Sequence, residues 1–433
     1  MSPLVCLLVA LAQAPAAEPL SLERAVELAL SRNERAQIAG AQNDAADGRL
    51  AQARAFFFPS LTVSGQYTRR AYEVTRSVGG QEVAVLRYNA LGAAGSLRWP
   101  LLDARGIALY QAASADLRAT RFEAAEAKRR LGFEAAQAFL QTLGLELVHE
   151  AARHRVALAE TNLGDATARK GAGLASSNDV TRSTLELANA RRSEASAGGV
   201  ARAARLNLAL LLDLDPVQLG TLEPPTSMFD TARAQPDRIE RPGLERAVEA
   251  RLDVKGLGER KAQADALARE PLLRLVPVLG FFAQGSLTNE TGLSGIPWAA
   301  SLGVDLTWAL FDGGSRYGAR DERAANARIV ALNERLRQRG VTVEVHTALA
   351  TLAAARASET QAVVGVDAAK LNATETSELY RQGLATALQQ ADAVQSQFEA
   401  EVALVQDRYA VLLSLLGLRA ALGVDPLGRE VTP

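Results

Sequence analysis

The stretch Leu302 to Arg316, LGVDLTWALFDGGSR, changes its hydrophobic period part-way along. Leu302, Val304, Leu306 and Trp308 alternate with Gly303, Asp305 and Thr307, the two-residue period of a strand with one apolar face. Beyond Gly314 the period becomes helical. Leu97 to Arg105, LRWPLLDAR, is a similar passage, with Trp99 matching Trp308 and Leu102-Asp103 matching Phe311-Asp312. A strand that turns into a long helix, made twice, is the plan on which the rest of the chain is laid.

Of the 433 residues, 48% are apolar, which excludes a mostly disordered chain. Much of that content is alanine and only 5% of residues are aromatic, a composition suited to thin helix-on-helix seams. A formal net charge of -1 supplies no electrostatic reason to expect nucleic acid. Residues 1–16 read as a signal peptide: Leu4 to Ala12, LVCLLVALA, is a short apolar run, and Ala14-Pro15-Ala16 follows as a small-x-small cleavage site, although no basic residue precedes the run. Cys6 lies in that run after Val5, a poor lipoprotein context, and removal of the signal would leave a chain without cysteine, hence without disulfides or thiolate metal sites. No other stretch approaches the ~20 continuous apolar residues of a membrane helix. Any membrane crossing must therefore use strands.

LERAVE occurs at Leu22 to Glu27 and again at Leu244 to Glu249. Pro59 and Pro277, Trp99 and Trp308, Gly173 and Gly383, and Asp215-Pro216 and Asp425-Pro426 follow as ordered matches at intervals that drift only slightly. One duplicated unit is expected, with the first repeat over 17–215 and the second over 243–425, a Pro-rich connector over 216–242 and a tail over 426–433. In each repeat a short helix (Ser21 to Ser31; Leu244 to Leu252) leads into a second, Asn33 to Phe56 in the first copy, and Pro59 or Pro277 then stops helical structure. Strands are expected at about 60–75 and 86–99, then 278–288 and 299–310, with polar glycine-containing loops around Ser77 to Gln81 and Asn289 to Gly295. Each has about the ~9 to 11 residues that cross a bilayer when tilted.

Helical hairpins are expected at about 104–213 and 317–423. Proline-free rods over Ala104 to Ala168 and Tyr317 to Leu379 would each be roughly 90 Å long at the standard helical rise. Val341, Val345, Ala348, Leu352 and Ala355, Leu140, Leu143 and Leu147, and then Phe398, Val402, Val405, Tyr409, Leu412 and Leu416 follow the seven-residue spacing of coiled-coil seams. Lys170 to Ser177 (KGAGLASS) and Arg381 to Thr386 (RQGLAT) form the hairpin tips. The connector has five prolines and no clear period, and reads either as a band around the rods or as a flexible linker.

Only a closed barrel satisfies every strand edge in hydrocarbon. Four strands cannot close, and the smallest membrane barrels use about eight. The chain must assemble with itself, and three copies supply twelve strands. The helical hairpins would then stand side by side as a tube continuous with the barrel.

The order of these elements, the P-x-L strand entries at Pro59 to Leu61 and Pro277 to Leu279, the W-x-L-F-D-G-G junction at Trp308 to Gly314, and the tips GLASSNDV (Gly173 to Val180) and GLAT (Gly383 to Thr386) resemble the TolC-like outer-membrane efflux and secretion channels. The resemblance implies a mainly helical chain with membrane β-strands, assembling into a homotrimer with a 12-stranded β-barrel continuous with a 12-helix α-barrel that spans the periplasm. It implies the exit duct of a tripartite efflux or type I secretion system, passively passing substrates from an inner-membrane transporter and a periplasmic adaptor to the exterior. Tips at Gly173, Leu174, Gly383 and Leu384 would contact the adaptor. In such channels a tyrosine and an aspartate hold the periplasmic gate, and Tyr380 and Asp179 match their places; an arginine of the pattern is Ala385 here, and of two inward aspartates one is Gln389 and only Asp392 remains. A looser or differently latched gate is expected. The junction between barrel and tunnel is assigned to Trp99, Asp103, Trp308, Asp312, Gly313 and Gly314.

His149 and His154 stand five apart, not the three or four that stack side chains on one helix face, and neither they nor His346 suggest a metal site. Ser176, Ser177 and Ser183 have no base positioned by sequence, so neither enzyme chemistry nor a cofactor is expected. Trp99 and Trp308 are either interfacial belt residues or core anchors beneath the sheet. A periplasmic adaptor or a coiled-coil scaffold without a pore would explain the helices, but the first does not account for the duplication nor the second for four amphipathic strands.

Overall fold

The computed structural model describes residues 19–236, 238–291 and 294–431, and the expected signal peptide lies outside them. Two compact units share the chain: Met1–Gly40, Ala125–Leu252 and Gln338–Pro433 form one, and Ala41–Ala124 with Asp253–Arg337 forms the other. Each unit draws on both halves of the sequence.

The second unit holds a four-stranded antiparallel sheet of β1 (Ser60–Arg69), β4 (Asn89–Leu102), β5 (Val278–Thr288) and β6 (Trp298–Thr307), in the order β1-β4-β5-β6. Register aligns the alternating side chains. Leu61 faces Leu97, Leu97 faces Ala283 and Ala283 faces Leu302, while Trp99, Phe281 and Val304 form the next row. This face is therefore apolar up to its far end, where Arg69 lies opposite Asn89, and it is bare: Leu61 is 71% and Leu302 76% exposed. The other face carries Ser60, Thr62, Ser64, Ser96, Gln284 and Ser301. Among the described residues both edge strands, β1 and β6, lack an outer partner.

Residues 77–81 are expected from sequence to be a loop, but β2 (Val74–Val78) and β3 (Gln81–Leu86) pair there as a separate two-stranded ribbon. Gly79 and Gly80 take φ of +61° and +86°, the left-handed pair that a tight hairpin turn requires. The glycines close a hairpin rather than mark a flexible loop, and β4 in consequence runs from Asn89 to Leu102.

Helix α2 (Glu34–Ala55), α3 (Ala104–Gly171), α7 (Leu252–Leu273) and α8 (Ser315–Arg381) flank the strands in sequence. In the second unit Asp116 of α3 accepts hydrogen bonds from Arg49 of α2 at 2.8 Å and from Arg260 of α7, and Arg260 also reaches Glu123 at 2.7 Å. At the strand end of these helices Glu270 is gripped by Arg274 at 2.9 Å and Arg323 at 2.6 Å.

The first unit contains α1 (Leu22–Arg32), α4 (Ser177–Leu212), α5 (Thr226–Ala234), α6 (Arg241–Ala250) and α9 (Ala387–Leu422), with the distal parts of α3 and α8. Its core comprises the seams of these helices: Phe139, Leu140, Leu208, Leu212, Val341, Val345, Leu352, Leu412, Leu415 and Leu416 are buried. The connector is ordered rather than a loose linker. Asp215 caps a 3-10 turn over Pro216–Leu219, Leu222 bridges Leu20, and Leu219, Met228 and Ala232 are buried. Its period was invisible because each apolar residue serves a different short element. Among the described residues no helix is long and apolar enough to cross a membrane.

Candidate functional site

Both hairpin tips use one construction. Gly173 and Gly383 adopt φ of +73° and +77°, and the following Leu174 and Leu384 donate their N–H groups back to Arg169 O at 2.9 Å and Leu379 O at 2.8 Å. This is the glycine-terminated end in which the residue after the glycine satisfies an orphan carbonyl five positions back. Such leucines ordinarily pack on their own helix. Here Leu174 and Leu384 remain 72% and 73% exposed.

The return helices start with matching capping boxes. Ser176 Oγ accepts from Asp179 N at 3.2 Å while the Asp179 carboxylate accepts from Ser176 N at 2.9 Å; Thr386 and Gln389 repeat the exchange at 3.3 and 2.9 Å. Asp179 and Gln389, both assigned to the gate from sequence, are thus the equivalent third residues of two helices. The signatures S-x-x-D and T-x-x-Q stand in the sequence, and the capping role gives Gln389 a structural reason independent of charge. Asp392 is exposed.

Tyr380 is buried at the end of α8, and its hydroxyl has no hydrogen-bond partner among the described residues. Burial, reinforced by the negative charge of Asp179, raises its pKa. The Tyr380–Asp179 link suggested by resemblance is not made within the chain. In its place Arg169 donates Nη1 to Tyr380 O at 2.8 Å and to Arg381 O at 3.1 Å, with its guanidinium 5.0 Å above the Tyr380 ring. Arg169, which joins the ends of α3 and α8, had no signal in the sequence beyond being a basic residue in a last helical turn.

At the strand-to-helix junctions both indoles have a specific partner. Trp99 Nε1 donates to Phe57 O at 3.1 Å, and Trp308 Nε1 donates to Leu275 O at 2.9 Å. Each tryptophan ties the end of its strand to the turn two residues before Pro59 or Pro277. Asp312 accepts from Gly314 N at 3.1 Å and Arg316 N at 3.0 Å, closing the first turn of α8. Asp103 does the corresponding work with Arg105 N at 3.0 Å, and the Arg105 side chain, against an opposing effect of partial burial, holds its carboxyl below the usual carboxylate range. Gly313 and Gly314 have φ of +69° and +90°.

The described residues thus combine a long sheet that has a bare apolar face with paired helical hairpins. Residues 25–213 and 246–424 match the family described as outer membrane efflux protein. The chain belongs to that family. It is 30% identical over 361 residues to Protein CyaE of Bordetella pertussis, covering 79% of this chain and 71% of that protein. Among solved structures, the outer membrane protein VceC of Vibrio cholerae superposes with a TM-score of 0.76 at 19% identity, over 93% of this chain and 96% of that one. The Campylobacter jejuni CmeC outer membrane channel gives a TM-score of 0.79 at 16% identity, over 95% and 87%. This outer membrane efflux protein is a channel of the efflux and secretion class, located in the outer membrane.

Proposed function

We propose that three copies of the chain close a 12-stranded barrel in the outer membrane, with their helical hairpins forming a tunnel through the periplasm, and that this homotrimer is the passive exit duct of a tripartite efflux or type I secretion system. The observation that carries the proposal is the sheet: an apolar exposed face demands lipid, and the free edges of β1 and β6 demand partners that only other copies supply. Pairing β6 of one copy with β1 of the next closes the ring without leaving an edge.

The tips Gly173-Leu174 and Gly383-Leu384 are the contacts for a periplasmic adaptor, which links the duct to an inner-membrane transporter. Two exposed leucines at hairpin apices gain buried area only by meeting another protein. Asp179, Tyr380, Gln389 and Asp392 line the periplasmic gate, and Trp99, Asp103, Trp308, Asp312, Gly313 and Gly314 turn barrel wall into tunnel wall. The duct itself needs no catalyst, metal or cofactor.

Native mass spectrometry of the detergent-purified protein should give a trimer that conducts ions when inserted into planar bilayers. A monomer that stays monodisperse without detergent would refute the channel assembly. Leu174→Asp with Leu384→Asp should leave trimer yield unchanged and weaken adaptor capture at least tenfold, since burying a leucine contributes about 1.5–3 kcal/mol; undiminished capture would remove the tips from the interface.

A further inference from the structure

Phe282 is out of place on its face of the sheet. Its neighbour Phe281 joins Trp99 and Val304 on the apolar side, but Phe282 points to the polar side, level with Arg98 on β4 and Gly303 on β6, with Gly280 before and Gln284 after it. Its ring lies across β6: a β-carbon at Gly303 would stand 2.9 Å from Phe282 Cζ. Asp305 leans the opposite way, so that a β-carbon at Gly280 would stand 2.8 Å from Asp305 Oδ1. The two glycines leave the floor on which these side chains lie. The result is a recess of about 420 Å³ lined by Ser96, Arg98, Phe282, Gln284 and Asp305.

Neither charged group in this recess is spent. Among the described residues the side chains of Arg98 and Asp305 make no hydrogen bond or ion pair. Register places Asp305 opposite Gly280, and Gly280 two residues from Phe282, which is opposite Arg98. Arg98 and Asp305 are thus diagonal across two strand spacings and two residues, roughly 12 Å between α-carbons from standard sheet dimensions. A guanidinium and a carboxylate set that far apart, with an aromatic ring between them, are not built to neutralise each other. They match a ligand that carries an ammonium and a carboxylate on either side of an apolar body, its charges taken by Asp305 and Arg98 and its body by the ring.

We propose that Arg98, Phe282 and Asp305 form a binding recess for amphipathic zwitterions on the pore-facing side of the barrel, repeated in each of three subunits. The site rests on the trimeric barrel proposed above, whose closure turns the polar face inward. It makes the barrel a selective station and not a plain outlet. Its function is to hold a zwitterionic solute near the foot of the barrel, so that the occupied pore carries less ionic current.

The test is current block of the full-length trimer in a planar bilayer by acetyl-Lys-Phe-Glu-amide, compared with acetyl-Lys-Phe-Gln-amide and acetyl-Leu-Phe-Glu-amide. The zwitterionic peptide should block at about tenfold lower concentration than either singly charged one, the scale of one charge-assisted hydrogen bond. Asp305→Asn should abolish the advantage conferred by the lysine, and Arg98→Gln that conferred by the glutamate, each read as the ratio of block between peptides on the same variant. Phe282→Leu should weaken block by all three peptides; because the ring also covers Gly303, the two charge variants decide the matter if this one fails to assemble. Equal block by the three peptides, or unaltered preference in both charge variants, overturns the recess while leaving the channel intact. Failure of the wild-type protein to conduct at all would overturn the barrel, and the recess with it.

Discussion

Arg251 donates from Nη1 to the carbonyl of Ala421 at 3.2 Å, and its equivalent in the first half, Asn33, donates Nδ2 to Leu211 O at 3.0 Å. Each donor is the residue that ends a short helix, α6 or α1, and each acceptor is the penultimate residue of a return helix, α9 or α4. The same backbone problem, orphan carbonyls at a buried helix end, is solved at the same place by two different side chains. Arg251 is also paired with Glu344 at 2.7 Å and is almost fully buried.

These caps should differ in weight. Asn33→Ala removes two neutral hydrogen bonds, one donated to Leu211 O and one accepted from Arg35 N, and is expected to cost about 1–2 kcal/mol, whereas Arg251→Ala strands a buried carbonyl and the half-exposed Glu344 and should cost about 2–4 kcal/mol. Urea unfolding of the detergent-solubilised protein measures both. Equal losses would mean that the charge pair contributes nothing beyond the cap.

At the junction, Gly313→Val with Gly314→Val forces β-branched residues into left-handed backbone, at about 1–2 kcal/mol per residue or more. The yield of assembled trimers in the outer membrane should fall several-fold. Unchanged yield would show that the chain turns from strand to helix by another route.

Arg169 clasps the end of α8 through two carbonyls and the face of Tyr380. Arg169→Ala should free the hairpin ends from each other and raise the mean single-channel conductance, and Asp392→Asn should independently reduce block by divalent cations, because in the proposed trimer three copies of that carboxylate would form the remaining acidic ring. Conductance and block identical to wild type in both variants would place the gate elsewhere.

Acid should loosen the second unit through Asp116. Burial alone would raise its pKa, but the hydrogen bonds and charges of Arg49 and Arg260 outweigh it and the folded value lies below the ordinary 3.8. A depressed carboxylate pKa stabilises the fold above the unfolded value, and that contribution is lost as pH falls through 3.8 and then through the folded value. Asp116→Asn should therefore lower the thermal midpoint at pH 7, by the equivalent of about 2 kcal/mol for a charged hydrogen-bonded site. The gap to wild type should narrow as pH falls below 3.8 and through the folded value. A constant gap across this range would exclude Asp116 as the acid-sensitive group.

Much of this architecture follows from local pattern. Alternation at Leu302 to Trp308, the proline stops at Pro59 and Pro277, and the tip glycines depend on backbone chemistry that acts within a few residues, so they are visible in one dimension. The capping boxes of Ser176 with Asp179 and Thr386 with Gln389 belong to the same class, because each lies within four residues, although the resemblance by itself points to these positions only as gate residues. The β2–β3 hairpin was hidden only because paired glycines serve loops and tight turns alike.

What tertiary structure decided is everything that depends on partners distant in sequence. Arg169 meets Tyr380 across 211 residues, Asp116 meets Arg260 across 144, and Phe282 turns out to lie over Gly303 beside unpaired charges. No periodicity encodes these, since any exposed arginine on a helix looks alike until its neighbour is known. The sequence by itself determined the four long strands and the long helices, and that one strand face must be apolar. Only the folded chain decided that both halves contribute to each compact unit, because strand pairing and helix-end capping choose their partners by register and burial rather than by order along the chain.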